Sequence, residues 1–420
     1  MLWKPLMPLF FRSILGFLIL LLICYFFSTN RKNINWSNVL KCFGLFFFLA
    51  TLMTHVSLIE RIIMHVSLAV EALQAATLEG TKFVFGYIGG GNTPFDIPEH
   101  RKDNNFIIAF QAFPIIIVVG AITMLFFYWR IIPVLVRAIS PFFGKSMGIG
   151  GALGIVSTAK IFFGHLETGL FVKPYLRLFS QSELLILMTL GFSTTSVVVM
   201  PVYSSLIIKY VPNAMPIFIM TNIVTIPLVI GLCKMLEPCE HNTAGTLETP
   251  YNFTGSFDAI SRGTRDGLSI FINIIAMLIV IAALITLCNK SLSLIPLTQT
   301  LSLQYLLGYL FKPIAWFMGI PWHETHQAGQ LLATKTVLNE IFAYMDFAKI
   351  GGNLSPKTQI ILASALSSFA NFASIGVIIS GFSTICPEKK KLIAKMGFQA
   401  FLIGVIATCV SGALLGILLK

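Results

Sequence analysis

The feature that most constrains this chain is a series of eight predominantly apolar runs, each of twenty residues or more. They lie near residues 8–28, 39–58, 106–128, 184–208, 213–235, 267–288, 357–380 and 397–419. A helix of about twenty apolar residues crosses the hydrocarbon core of a bilayer. In hydrocarbon every backbone N–H and C=O must be paired within the structure, so only helices or a closed barrel can span. The runs are continuous and lack the two-residue alternation of barrel strands. The expected fold is therefore an all-α polytopic membrane protein, multi-pass in a cell (inner) membrane. The composition agrees, since 56% of the 420 residues are hydrophobic and only 11% are charged. A soluble domain of that size has too little interior to hide so much apolar surface.

The formal net charge is +12. The basic residues sit in short clusters between apolar runs and form no stripe on a polar face. Lys/Arg bias of this kind orients membrane proteins, and without a recognisable binding module it does not indicate nucleic acid. Lys389, Lys390, Lys391 and Lys395 place the loop between the last two runs in the cytoplasm and the C-terminus outside. Arg130, Arg137 and Lys145 agree, as do Arg31, Lys32 and Lys41. Eight spans put the N-terminus outside too, against which Lys4 and Arg12 pull mildly. The first run shows no small-x-small cleavage site, so it reads as a transmembrane helix rather than a signal peptide. Seven cysteines at irregular spacing imply no disulfide framework. Cys233, Cys239 and His241 make at best a weak metal set, outweighed by their reading as a small apolar residue plus loop residues. No cofactor is expected.

Between the runs, Glu60 to Ala76 reads as an amphipathic interfacial helix. Gly89 to Pro94 and residues 236–256 read as loops, the second exposed. Two segments are apolar but carry polar and charged residues. One, Gly144 to Phe179, contains Lys160, His165, Glu167 and Thr168. The other, Gly319 to Lys349, contains His323, Glu324, Gln330, Lys335, Asn339 and Glu340. A charge at the bilayer centre costs about 2.5–3.5 kcal/mol even on lenient scales, so such residues face a bundle interior or a watery cavity. Two re-entrant hairpins, at about 144–179 and 319–349, satisfy that requirement. Each precedes a run interrupted by small polar residues, Gly191 to Ser196 in one and Ser367 to Gly376 in the other. One such cluster alone signals close helix packing. Two at matching places favour a substrate site at the interface of an inverted repeat. The chain thus divides into N-terminal transmembrane and interfacial helices (1–105) and a core (106–420).

Several residues carry a plainer reading beside a functional one. Lys160 either snorkels to the interface or serves a site near the hairpin tip. His165 is either a hydrogen-bonded structural histidine or a base-contacting or protonatable group. His323 and Glu324 can simply pin the second hairpin. Glu340, an intramembrane carboxylate, is a functional candidate by default. His323-Glu324-Thr325-His326 has the wrong order and spacing for a zinc protease motif.

The motif Phe369-Ala370-Asn371-Phe372-Ala373-Ser374-Ile375-Gly376 resembles a signature of the concentrative nucleoside transporters. So do Gly319-Ile320-Pro321-Trp322-His323-Glu324 and Asn339-Glu340-Ile341-Phe342-Ala343-Tyr344. Gly164-His165-Leu166-Glu167-Thr168 stands where that family has Gly-Gln-Thr-Glu-Ala, with Pro174-Tyr175-Leu176 following at the family's spacing. The resemblance covers roughly residues 105 to 420. It implies a homotrimer with one pathway per protomer, eight core spans, interfacial helices and two re-entrant hairpins. It also implies that Glu340, Asn371 and Ser374 hold a ribose with Phe369 packed nearby, and that His165, Leu166 and Glu167 face the nucleobase. A carboxylate accepts hydrogen bonds and an amide both donates and accepts, which independently suits a ribose.

Two departures stand out. Sodium-coupled members place an Asn ligand where this chain has Lys160, and a charged ammonium has donors but no lone pair for a cation. Thr194 keeps a hydroxyl at the other side of that position. Leu166 replaces a hydroxyl residue beside the base. The resulting expectation is secondary transport of nucleosides or nucleoside-like solutes by alternating access, sodium-independent, as a proton symport or uncoupled. The competing readings are a membrane sensor and an integral membrane enzyme using Glu167 and His165 as an acid–base pair.

Overall fold

The computed structural model describes residues 9–95, 107–164, 168, 173–238, 243–245, 253–294 and 302–419. Every regular element among them is helical, as backbone pairing within a bilayer requires. Helices α1 (Leu9–Phe26), α2 (Trp36–His55) and α3 (Ser57–Phe85) lead the chain. The amphipathic stretch expected at Glu60 to Ala76 is part of the continuous 29-residue α3. It ends where Gly86 takes a φ of 61°, a conformation open to glycine without penalty.

Two corresponding series follow. The first comprises α4 (Ile115–Tyr128), α5 (Ile131–Met147), α6 (Gly151–Ala159), α7 (Gln181–Ser193), α8 (Met200–Ile207) and α9 (Ala214–Leu236). The second comprises α10 (Ser256–Ser293), α11 (Leu303–Phe317), α12 (Thr325–Val337), α13 (Glu340–Ile350), α14 (Pro356–Leu366), α15 (Phe372–Ile385) and α16 (Lys390–Leu418). The counterpart of α13 falls largely outside the described residues. α5 and α11 stop alike, at Gly148 (φ 60°) and Gly319 (φ 93°). The chain then turns back into α6 and α12. The axes of α5 and α6 differ by 119°. The expected start of the first hairpin, Gly144, lies inside α5. The runs at 184–208 and 357–380 are each split, into α7 with α8 and α14 with α15.

Neither α5 nor α11 was among the expected elements. Each carries an internal proline, Pro141 or Pro313. Each also carries charge, Arg137 and Lys145 or Lys312, which dilutes the apolar signal. Six helices among the described residues are long and apolar enough to cross a membrane, or seven if the bent α5–α6 pair counts as one. The remaining expected runs are short or broken as single helices.

The segments around Arg31, Lys145, Lys234 and Lys389 meet at one end. There Thr29 N donates to Leu236 O (3.0 Å), and Lys234 Nζ donates to Met147 O (2.9 Å) and Gly148 O (2.7 Å). Lys389 Nζ meets Phe179 O, and Arg177 pairs with Glu388 at 2.7 Å. This is the end that the Lys/Arg bias assigns to the cytoplasm. At the start of α1, away from that end, Arg12 reaches Ile320 O. The α5–α6 turn therefore sits at the basic end and the α11–α12 turn at the opposite one, which is the inversion expected of the repeat.

α9 and α16 form the buried centre. α2 packs on α9, and α7 and α14 pack on α16. α10 packs on α4 through glycines. A Cβ on Gly263 would stand 2.4 Å from Gly120 O, and one on Gly267 2.7 Å from Ile117 Cα. Small residues allow backbones to approach this closely in membranes. Of the polar stretch expected as an exposed loop at 236–256, residues 236–238, 243–245 and 253–256 are described, and not all of these are exposed. Thr243 is buried and caps the Glu183 carboxylate, its N–H reaching Oε1 (2.7 Å) and its hydroxyl Oε2 (2.8 Å). A buried carboxylate needs such donors. Gly150 permits the approach, since a Cβ there would lie 2.3 Å from Thr243 O.

Candidate functional site

The site forms where two helices of the second series begin. Asn339 precedes α13, and its side chain accepts from Phe342 N at 3.0 Å. Asn371 precedes α15 and accepts from Ser374 N at 2.8 Å. The same capping device thus starts both helices, satisfying N–H groups that have no partner within the helix. It places Glu340 in the first turn of α13, where the positive end of the helix favours a carboxylate. Glu340 and Asn371 are 4% and 3% exposed. Asn371 Nδ2 donates to Glu340 Oε2 at 3.1 Å. Ser374 follows in the first turn of α15 and is buried, while Phe369 lies just before it, half-buried.

The first series supplies the other side. Tyr203 on α8 donates its hydroxyl to Glu340 Oε1 at 2.9 Å. Its ring stacks on Tyr344 with centroids 4.9 Å apart, and Phe218 packs edge-on against both. Tyr344 donates to Ala363 O at 2.7 Å. A carboxylate has about four acceptor positions when ionised, and these two side chains occupy two of them. Further hydroxyl donors can be accepted there, while the Asn amide has a second N–H to offer. The arrangement suits two adjacent hydroxyls.

The interruptions of the two broken helices meet. Thr195 Oγ1 donates to Ser367 O. Asn222 on α9 replaces the lost helical partners of Thr195, accepting from its N–H at 2.9 Å and donating to its carbonyl. This is how broken backbone is satisfied at membrane depth. A seam of hydroxyl contacts continues beside it, Thr221 with Ser364 and Thr225 with Ser411, both 2.7 Å.

Lys160 closes the C-terminal end of α6 and is 1% exposed. Thr194 ends α7 and donates to Leu190 O at 2.7 Å. α6 packs on α7, and helix C-termini favour a cation. Lys335 occupies the matching place on α12. It is equally buried, and its Nζ donates to Ala365 O and Thr408 Oγ1, both at 3.0 Å. His165, Leu166 and Glu167 lie outside the described residues. The structure therefore brings Glu340 and Asn371 together, with Ser374 and Phe369 beside Asn371. Glu324 turns out to be a pin, its carboxylate accepting from Ser355 N (3.2 Å) and Ser355 Oγ (3.0 Å) where α14 begins. Among the described residues no group of three His, Cys, Asp or Glu could hold a metal.

Sequence reasoning missed Tyr203 and Asn222, and gave Lys335 no role. A tyrosine or asparagine inside an apolar run carries no local signal of its partner. Lys335 had one, its correspondence to Lys160 in the repeat.

Three family profiles match the chain in order. They are "Na+ dependent nucleoside transporter N-terminus" over residues 15–88, "Nucleoside recognition" over 109–210 and "Na+ dependent nucleoside transporter C-terminus" over 217–416. The chain is 28% identical to nucleoside permease NupC of Helicobacter pylori, over 96% of this chain and 97% of that one. It is also 28% identical to the putative nucleoside permease NupX of Escherichia coli, over 96% and 98%. Sodium/nucleoside cotransporter 2 of Mus musculus is 25% identical over 99% of this chain and 63% of its own length. Among solved structures, CNTnw in an inward-facing substrate-bound state matches with a TM-score of 0.88 at 28% identity, covering 99% of this chain and 100% of that one.

Proposed function

This chain belongs to the concentrative nucleoside transporter family, and from that premise we propose that it imports nucleosides or nucleoside-like solutes by alternating access, without sodium. It is a multi-pass integral membrane protein, and its relatives are transporters rather than enzymes. The observation that carries the substrate reading is the Glu340–Asn371–Tyr203 cluster at two helix N-termini. Glu340, Asn371 and Ser374 hold the ribose, with Phe369 against it, and His165, Leu166 and Glu167 face the base. A site built to pair a hydroxyl rejects the analogue that lacks it, because its own buried groups are left unpaired. The test is direct binding of radiolabelled ribonucleosides and their 2′- and 3′-deoxy analogues to the purified protein. Discrimination against a deoxy analogue that Asn371→Ala abolishes is the expected result. Equal binding of all three sugars refutes the assignment.

Lys160 supports the sodium-independent reading. Its tethered ammonium stands where sodium-coupled members have an Asn ligand, and a second cation at contact distance is repelled. Thr194 and the carbonyls at the ends of α6 and α7 are then the partners of the lysine. Uptake into proteoliposomes with sodium replaced by choline should be unchanged, and a steep sodium requirement overturns the reading. A protonophore then separates a proton drive, in which uptake collapses, from uncoupled exchange, in which it persists. The assembly proposed is the homotrimer, with the uncovered apolar face of α10 available for contacts between protomers. Light scattering of the purified protein tests it.

A further inference from the structure

Away from the substrate site, a groove of about 680 Å³ opens between α1, α2, α11 and α16. Phe17, Phe46, Phe317, Val410 and Ala413 line it, only Ser13 and Thr51 bring hydroxyls, and no lining side chain is charged. Along α1 it runs from Ser13 to Ile23, ten helical rises or about 15 Å. That is about half of the ~30 Å hydrocarbon core, the depth of one leaflet. Close contact of α1 with α11 shuts one side, since a Cβ on Gly16 would stand 2.9 Å from Phe317 O.

At the end of the groove away from the basic face, Ser13 lines it and Arg12, which does not itself line it, adjoins Ser13. Arg12 is 6% exposed. One guanidinium nitrogen donates to Ile320 O at 3.4 Å, and the group lies 5.7 Å from the centre of the Trp316 ring. Arg12 Nε and Ser13 Oγ are buried with no hydrogen-bond partner among the described residues. Buried polar groups are ordinarily paired, so these two donors point to a ligand with acceptor oxygens. A guanidinium binds phosphate through parallel hydrogen bonds. An apolar slot one leaflet deep, headed by such donors, has the chemistry of a phospholipid site.

We propose that this groove binds an anionic phospholipid of the outer leaflet, with one acyl chain along α1 and α16 and the headgroup phosphate on Arg12 and Ser13. The chain then abuts α16 at Cys409, next to the Thr408 hydroxyl that accepts from Lys335. The lipid is thus placed to brace the helix to which the second hairpin is pinned. The inference does not depend on the transported solute.

The test uses the whole protein in vesicles of phosphatidylglycerol and phosphatidylcholine, with photoactivatable acyl-chain probes of each lipid and peptide mapping of the adducts. The phosphatidylglycerol probe should label residues 13–23, 313–318 or 406–418 about fivefold more than the phosphatidylcholine probe, the preference one basic residue gives. Ala413→Trp, which fills the groove, should remove those adducts and leave labelling on α10 unchanged. Arg12→Gln should equalise the two probes. Equal labelling by both probes in the wild type, or adducts confined to α10, overturns the proposal without reference to any variant. So does undiminished labelling of the groove in a folded Ala413→Trp protein.

Discussion

The two halves of the repeat share a plan and divide the work. Each turns back at a positive-φ glycine, buries a lysine on its second helix and then breaks a long helix. In the second half the lysine and the helix starts at the site are fastened by side-chain contacts. Lys335 holds a carbonyl of α14 and a hydroxyl of α16, and Asn339 and Asn371 cap the helices that present Glu340. In the first half the break is held by Asn222 and the lysine caps α6. Under the proposed function the same charge at the same place in the repeat serves two ends, a structural pin at Lys335 and a coupling position at Lys160. On this reading the second half grips the sugar and the first half meets the base and the drive.

The largest effect should come from breaking the grip. Glu340→Gln removes a buried charged acceptor, and hydrogen bonds to charged groups contribute about 1.5–3 kcal/mol. Nucleoside affinity should fall by about 10–150-fold, alike for every base, as read by equilibrium binding. A loss confined to some bases would remove the division between the halves.

The next test compares the lysines. Lys335→Met leaves Ala365 O and Thr408 Oγ1 without their donor, and a buried group left unpaired costs about 1–3 kcal/mol. Thermal unfolding in detergent should shift down clearly for this variant. Lys160→Met should alter the ion or proton dependence of uptake instead. If Lys160→Met lowers the unfolding temperature as much as Lys335→Met and leaves uptake untouched, both lysines are pins.

A smaller effect is expected at the base. His165→Gln combined with Leu166→Thr restores one hydrogen-bonding pair, about 1 kcal/mol, and should shift preference toward pyrimidine nucleosides by about fivefold. Competition among labelled nucleosides measures it, and an unchanged profile would mean that these side chains do not face the base. The smallest effect belongs to the contact joining the halves. Tyr203→Phe keeps the ring stacked on Tyr344 and deletes one hydrogen bond to Glu340. It should weaken binding by about twofold to threefold, the ~0.5 kcal/mol at the low end of a single hydrogen bond. No change in affinity would reduce Tyr203 to packing.

The sequence determined the fold class and marked Glu340 and Asn371 as site residues. The solvent forces the first, because lipid offers backbone groups no partner. The second is legible because an intramembrane carboxylate and a short polar motif stand out locally from the apolar residues around them. The tertiary structure alone decided that Tyr203 reaches Glu340, that Asn222 repairs the break at Thr195, that Thr243 caps Glu183 and that α5 and α11 are helices despite Pro141 and Pro313. Those contacts join groups 27 to 137 residues apart. Nothing in a local pattern marks which distant donor a buried acceptor will meet. That is settled only when the helices pack and every polar group taken out of water must find a partner.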